Sequence, residues 1–264
     1  MKRFIAFSLG VESTAMCVLY GKGATAIFTD TGSEHAELYA RLAYVETMLT
    51  ALHGGDFTLK VLKPTHTVAG QECTTLQQAI EAKKFMPSGQ KRFCTVEWKI
   101  KPMDAFLKEQ GECELLIGFN ADEEPGADRT GNLMRCKNVT YRYPLYDDGL
   151  TRDDCKALLR LHDLEPNYPV YMARGGCKFC FYKSVREYKA MYHLDRATFD
   201  QVQALEERIQ DRRGKFFSIS ASGRSFKSIA AECAREAGFW GEQEIRLTYK
   251  QIQNSPSCGA LCHR

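Results

Sequence analysis

Ser8, Gly10, Ser13 and Thr14 follow an apolar run from Phe4 to Phe7 and open a stretch of helical spacing. Small and hydroxylated residues therefore stand where a buried strand gives way to a helix. Gly10 lets backbone approach a ligand, and the Ser13 and Thr14 hydroxyls lie beside the free N–H groups of the helix start, a combination suited to phosphate. An ordinary strand-to-helix turn uses the same residue types. A second apolar run ends in Phe28-Thr29-Asp30-Thr31-Gly32-Ser33-Glu34-His35. Ligands of open parallel sheets sit beyond the carboxyl ends of strands, so this acidic turn would share a crevice with the first loop. Thr31 or Ser33 could equally cap the next helix. Farther on, Arg92 and Lys99 flank Cys94 at a helix start. A helix terminus contributes about 0.3–1 kcal/mol toward an anion and a charge-assisted hydrogen bond about 1.5–3 kcal/mol, so a triphosphate needs these cations as well as the loop. The alternative is a solvated basic helix start over a buried cysteine.

Gly118 ends a further apolar run and permits close approach of a ligand; the following Asp122, Glu123 and Arg129 suit either substrate contacts or a surface ion network. Cys177 and Cys180 have the spacing that lets two thiolates reach one metal centre, and by themselves read as a zinc half-site, a redox pair or coincidence. Cys258 and Cys262 add soft ligands near the end of the chain. Cys17, Cys73, Cys113, Cys136, Cys155 and Cys233 are scattered and read as small buried hydrophobes. His35, His66, His162 and His193 lack ligand spacing and read as surface or packing residues. Phe216, Phe217, Tyr188 and Tyr192 read as core rather than as a base-stacking platform beside Arg212 and Arg213.

The elements that must position these groups follow from periodicity. Apolar runs at 3–8, 24–29, 57–62 and 114–119 read as strands, and helical spacing occupies 11–21, 34–52, 75–84 and 95–110. This alternation predicts an α/β fold, a doubly wound, mostly parallel sheet covered by helices. Thr151 to Leu164 starts with a hydroxyl and two aspartates and predicts another helix, ending before Pro166. After Tyr171 the texture becomes helical, with segments at 184–194, 196–211 and 225–237. The expected organisation is a nucleotide-binding region over 1–168 and a helical, cysteine-bearing region over 169–264 packed upon it.

Composition narrows the classes. With 264 residues and 44% hydrophobic content the chain can bury a substantial core, and its formal charge of +3 does not by itself declare a nucleic-acid partner. Gly10 and Glu12 interrupt the first apolar run before a signal-peptide core accumulates, and no stretch is long enough for a membrane span. Eleven cysteines without an export signal suggest reduced thiols in the cytoplasm, available for metal binding or chemistry. Gly21-Lys-Gly23 imitates a dinucleotide fingerprint but precedes a strand instead of following one. No Walker A sequence is present.

Taken in order, these segments resemble the PP-loop ATP pyrophosphatase and phosphoadenosine phosphosulfate (PAPS) reductase superfamily. Ser8 to Thr14 resembles its Ser-Gly-Gly-x-Asp-Ser loop, with Leu9 where a glycine is usual and Glu12 where an aspartate is usual. Asp30-Thr31-Gly32 resembles its Asp-Thr-Gly segment, and Arg92-x-Cys94 with Lys99 and Pro102 resembles its basic helix start. The resemblance implies an adenine nucleotide alpha hydrolase-like fold that binds ATP with Mg2+. Ser8, Gly10, Val11, Ser13, Thr14, Phe28, Asp30, Thr31 and Gly118 would line the nucleotide, and Glu12, Ser13, Asp30, Arg92 and Lys99 would act in catalysis. It further implies a [4Fe-4S] cluster held by Cys94, Cys177, Cys180 and one of Cys258 or Cys262, although Phe93 stands where a second cysteine is usual. Zinc on Cys177, Cys180, Cys258 and Cys262 is the rival. The motif set looks most like the ATP pyrophosphatase component of DNA phosphorothioation systems or related tRNA thiolation enzymes, with a nucleic-acid acceptor and a cysteine desulfurase as sulfur donor. A PAPS or APS reductase that makes sulfite, and a non-catalytic nucleotide-binding subunit, are the alternatives.

Overall fold

Apolar side chains along the first strand face both ways, and this sets the layering. A computed structural model describes residues 1–123, 136–166, 168–172, 174–213 and 218–237. Glu124, Arg129, Phe216, Phe217, Cys258 and Cys262, with the side chains of Arg212 and Arg213, lie outside the described residues. In β1 (Lys2–Phe7), Ile5 and Phe7 join one core and Phe4 another. β2 (Ala24–Thr29) pairs parallel with β1, Ile5 opposite Ala26 and Phe7 opposite Phe28, and β3 (Phe57–Leu62) pairs parallel with β2. On the other side come β6 (Cys113–Leu116) and β7 (Val139–Arg142), both parallel, giving the order β3-β2-β1-β6-β7. A separate antiparallel pair, β4 (His66–Val68) and β5 (Gln71–Cys73), lies between β3 and the next helix.

Two helical layers cover the sheet, as expected for a doubly wound fold. α1 (Val11–Tyr20), α2 (Ala36–Leu52) and a later helix, Arg152–Leu161, bury Met16, Leu49 and Leu159 against the face of Ile5 and Phe28. The opposite face, with Phe4, Ile27 and Leu115, receives Leu107. α3 (Leu76–Lys83) begins at a reciprocal cap between Thr75 and Gln78. The expected 95–110 helix starts two residues earlier: α4 (Phe93–Thr95) passes through a π turn, Val96–Ile100, into α5 (Lys101–Lys108). π turns are frequent at functional sites, and this one carries Lys99 and the fully buried Trp98.

Two expectations change. The fourth predicted strand ends at Leu116 rather than 119, because the backbone turns so that the Phe119 N–H donates to the Ile117 carbonyl at 3.0 Å. β7 was absent from the sequence reading because four residues at a sheet edge, alternately buried and exposed, are too short to register as a period.

α6 (Pro144–Asp147) leads to α7 (Arg152–Leu161), which Thr151 caps by accepting from the Asp154 N–H. Beyond residue 174 lie α8 (Val185–Leu194), α9 (Arg196–Arg213) and α10 (Phe226–Ala237). Their buried Tyr188, Phe199 and Phe226 share a third cluster with Leu76, Ile80 and Trp98, so these helices rest on α3 and the π turn. Among the described residues no helix is long and apolar enough to cross a membrane.

Glu206 secures the last connection. Its carboxylate accepts the backbone N–H groups of Ile219 at 2.9 Å and Phe226 at 2.7 Å, tying the start of α10 to α9. Burial raises its pKa, opposed by these two bonds. Glu206→Ala leaves two buried donors unpaired and is expected to cost about 2–4 kcal/mol in urea denaturation. Glu206→Gln, whose amide oxygen still accepts, should cost less.

Candidate functional site

The loop after β1 closes around one hydroxyl. Ser13 Oγ receives the N–H groups of Ser8 and Gly10, each at 3.2 Å, and lies 3.1 Å from Ser8 Oγ. It occupies the point on which these donors converge, at the N-terminus of α1, where a phosphate oxygen would be the stronger acceptor. Gly10 is extended, and a Cβ there would meet Ser8 Oγ at 3.3 Å. Leu9 adopts a φ of 60°, the left-handed conformation that glycine tolerates best. Its side chain is buried in the core of α1, which offsets the backbone cost. Val11, Ser13 and Thr14 are buried, while Ser8 and Gly10 are half-buried.

Glu12 points into the structure and not along the loop. Its carboxylate pairs with Arg152 of α7 and accepts from Asn120 Nδ2 at 3.1 Å. A Cβ on Gly118 would come within 3.1 Å of Glu12 Cβ and 3.2 Å of Met16 Cε, so the missing side chain here allows α1 to approach the end of β6.

The second loop is fastened in the same local way. Asp30 Oδ1 accepts from Gly32 N at 2.8 Å and from Tyr39 Oη at 2.7 Å. Gly32 has a φ of 65°, and a Cβ there would strike Thr75 Cγ2 at 2.7 Å. Thr31 is fully buried, with its hydroxyl 3.3 Å from Glu34 Oε1 and 3.6 Å from Cys177 Sγ. Glu34 itself forms a bridge with Cys177 in the backbone, while its Oε1 lies 3.7 Å from Cys177 Sγ and 3.7 Å from Lys99 Nζ.

Ser8, Gly10, Val11, Glu12, Phe28, Cys94, Lys99, Gly118, Cys177 and Cys180 line a single cavity. Segments far apart in the chain, from Ala6 to Tyr182, therefore converge there. Arg92 faces a neighbouring groove with Lys83, Phe85 and Lys91, its guanidinium 5.7 Å from the Tyr182 ring centre. Asp30 and Thr31 stand behind the lining in the contacts just described. Burial pushes the Cys94 thiol up, against the nearby Lys99 and Arg92 charges. Burial also pushes the Cys177 thiol well up, with Glu34 adding to the rise and Lys99 opposing it. Both are thus protonated thiols, inert until a metal ion or a base removes the proton. The turn that presents them is anchored by Lys183, which is buried and donates to the Cys177 carbonyl at 2.5 Å, and by Tyr188, which donates to the Cys180 carbonyl at 2.7 Å.

Sequence reasoning placed Glu34 in the acidic turn without a role of its own and missed Asn120, Arg152 and Arg174. Arg152 and Arg174 bring cationic groups to the cavity from α7 and from the segment before Cys177. Neither lies in a motif, and Arg152 stands beside Thr151 and two aspartates, so no local signal marked them as cavity residues. His35 is fully buried, as a packing residue would be: its Nδ1 lies 3.3 Å from Tyr171 Oη, which donates to Asp195 at 2.6 Å.

The model of the phosphoadenosine phosphosulfate reductase domain family matches residues 2–185. No curated protein matches the chain.

His35 makes the site sensitive to acid. Burial, with Lys183 nearby, lowers its pKa from 6.5 to about 3, so the folded protein holds it neutral while the unfolded chain protonates it. Its contribution to stability is complete above pH 6.5 and is lost as the pH falls from there toward 3, with a slope of at most about 1.4 kcal/mol per pH unit. Urea denaturation between pH 7 and 5 should show this slope in the wild type and a flatter one in His35→Gln.

Proposed function

The chain belongs to the phosphoadenosine phosphosulfate reductase domain family, whose chemistry is nucleotide-dependent handling of sulfur, and on that footing we propose that it is an ATP pyrophosphatase preparing an acceptor in DNA or tRNA for sulfur transfer. One observation carries the reading: the loop whose N–H groups converge on Ser13 Oγ opens on the same cavity as Cys94, Cys177 and Cys180. A turn suited to phosphate and three cysteines outside any disulfide share one space.

In this reading the triphosphate lies along Ser8 to Thr14, with Phe28, Asp30, Thr31 and Gly118 on the nucleotide side. The lining carries Lys99, Arg152 and Arg174 against Glu12, Glu34, Asp104 and Glu123. Cations do not exceed carboxylates, so ATP would enter with Mg2+ supplying the balancing charge. An acceptor oxygen attacks the α-phosphorus, the bond to the bridging oxygen breaks, and pyrophosphate leaves toward Ser8, Gly10 and Ser13. Lys99, released from Glu34, and Arg92 at the edge stabilise the charge that develops. The outer sulfur of a persulfide on a cysteine desulfurase then displaces AMP from the adenylate, and an added thiol cleaves the resulting S–S bond, releasing the thiolated acceptor and leaving the desulfurase cysteine in a disulfide with that thiol. Glu12 keeps α1 in place through Arg152 and Asn120, a positioning part in the same chemistry.

The thiols fit a soft metal centre in their chemistry, being outside any disulfide and lining one cavity. Cys94, Cys177 and Cys180 would hold a [4Fe-4S] cluster with Cys258 or Cys262 as fourth ligand, and zinc is the competing occupant. When bound, such a cluster would supply a redox-active, sulfur-rich wall to the cavity.

Anaerobically purified protein incubated with ATP, Mg2+ and acceptor DNA or tRNA is expected to release pyrophosphate, with EDTA abolishing it. Ser13→Ala should lower that turnover about 100-fold or more while costing about 1 kcal/mol of stability. Inertness toward ATP combined with thiol-dependent sulfite formation from PAPS would replace this reading with a reductase. Tight ATP binding without any product in the presence of acceptor and desulfurase would leave a nucleotide-binding subunit. Iron and zinc analysis of the same preparation decides the metal: iron lost in Cys177→Ser supports the cluster, and stoichiometric zinc in a colourless protein discards it.

A further inference from the structure

Away from the nucleotide cavity, α8 and α10 bring together three side chains of metal-binding type. His193 lies in the last turn of α8, and Cys233 and Glu236 stand three residues apart on one side of α10. One ligand atom from each lies within 4.8 Å of the other two, and among the described residues this is the one such group. We propose that His193, Cys233 and Glu236 bind a zinc-type divalent ion that pins α10 to α8.

The donor set selects the class of ion. One sulfur, one imidazole nitrogen and one carboxylate oxygen suit borderline Zn2+ better than Mg2+ or Ca2+, which favour oxygen alone, and three protein ligands leave a fourth position for water. A thiolate and a carboxylate cancel the charge of a divalent cation. Glu236 is also positioned from behind: its Oε1 accepts from Lys189 Nζ at 2.7 Å, and Lys189 is one helical turn before His193. Its other carboxylate oxygen can serve the ion, while the hydrogen-bonded one fixes its orientation. Lys189 also pairs with Glu232, which Arg224 holds in turn, so the ammonium has a second partner when a cation takes up part of the Glu236 charge.

Cys233 is fully buried, so the ion would bind with release of one proton from its sulfur. This site uses neither Cys177 nor Cys180, and it does not depend on the reaction proposed above.

The test uses full-length protein carrying Cys177→Ser and Cys180→Ser, so that those thiols cannot report. Titrated Co2+ should give the visible bands of a tetrahedral site together with a thiolate charge-transfer band, and Zn2+ should displace it and raise the melting temperature in a concentration-dependent way. Cys233→Ser should remove the thiolate band. His193→Gln should weaken the ion by more than the roughly 10–100-fold that loss of an outer partner costs, and Lys189→Met by about that amount. Because Cys233 sits in the core, His193→Gln at a half-buried position decides the matter should Cys233→Ser fail to fold. No band in the parent protein, unchanged affinity in folded His193→Gln, or a thiolate band that survives Cys233→Ser overturns the site.

Discussion

A buried carboxylate governs how the parts of this molecule meet. Glu34 is almost wholly removed from water, and an isolated carboxylate in that position would cost several kcal/mol. Its compensation comes from three separate segments: the Thr31 hydroxyl from its own loop, the Cys177 thiol from the turn before α8, and the Lys99 ammonium from the π turn. Each partner withdrawn leaves the remaining ones to carry more of that compensation. The backbone bridge between Glu34 and Cys177 adds geometry to that electrostatic demand, so the cysteine turn has one place to dock.

From this junction the cavity follows. The sheet supplies the phosphate-type loop at the end of β1, and the docked turn supplies thiols opposite it. The loop itself is held rigid by short-range bonds to Ser13, and α1 behind it is held by the Glu12 pair with Arg152. Leu9 shows how a departure from a glycine is tolerated: the left-handed backbone is kept because the side chain packs in the core rather than in solvent. A pocket whose acids outnumber its cations among the described lining is also one whose chemistry waits on added positive charge.

The helical region shows the same logic at lower cost. Three apolar clusters divide the work, and the one formed by Tyr188, Phe199 and Phe226 takes Trp98 and Ile80 from the preceding chain. Polar connections then fix what hydrophobic packing leaves adjustable: Glu206 sets the start of α10, and Lys189 sets its register against α8.

Much was legible in the linear chain because it depends on neighbours in sequence. The period of apolar residues marked β1, β2, β3 and the flanking helices, and the small residues at Ser8 to Thr14 marked the turn between them, since strand, cap and turn preferences act over a few residues. The π turn under Lys99, the edge strand β7, and the partners of Glu12 and Glu34 were invisible, because a one-residue change of phase or a contact across 140 residues leaves no local signature. His193 and Cys233 read as packing residues for the same reason, and only the packing of α8 on α10 brought them together. Residue order by itself determined which segments become strands and helices and where hydroxyls, cations and thiols stand along them. Tertiary structure alone decided which of those groups share a space and which protons they keep, because burial and charge proximity are properties of the folded volume and not of sequence distance.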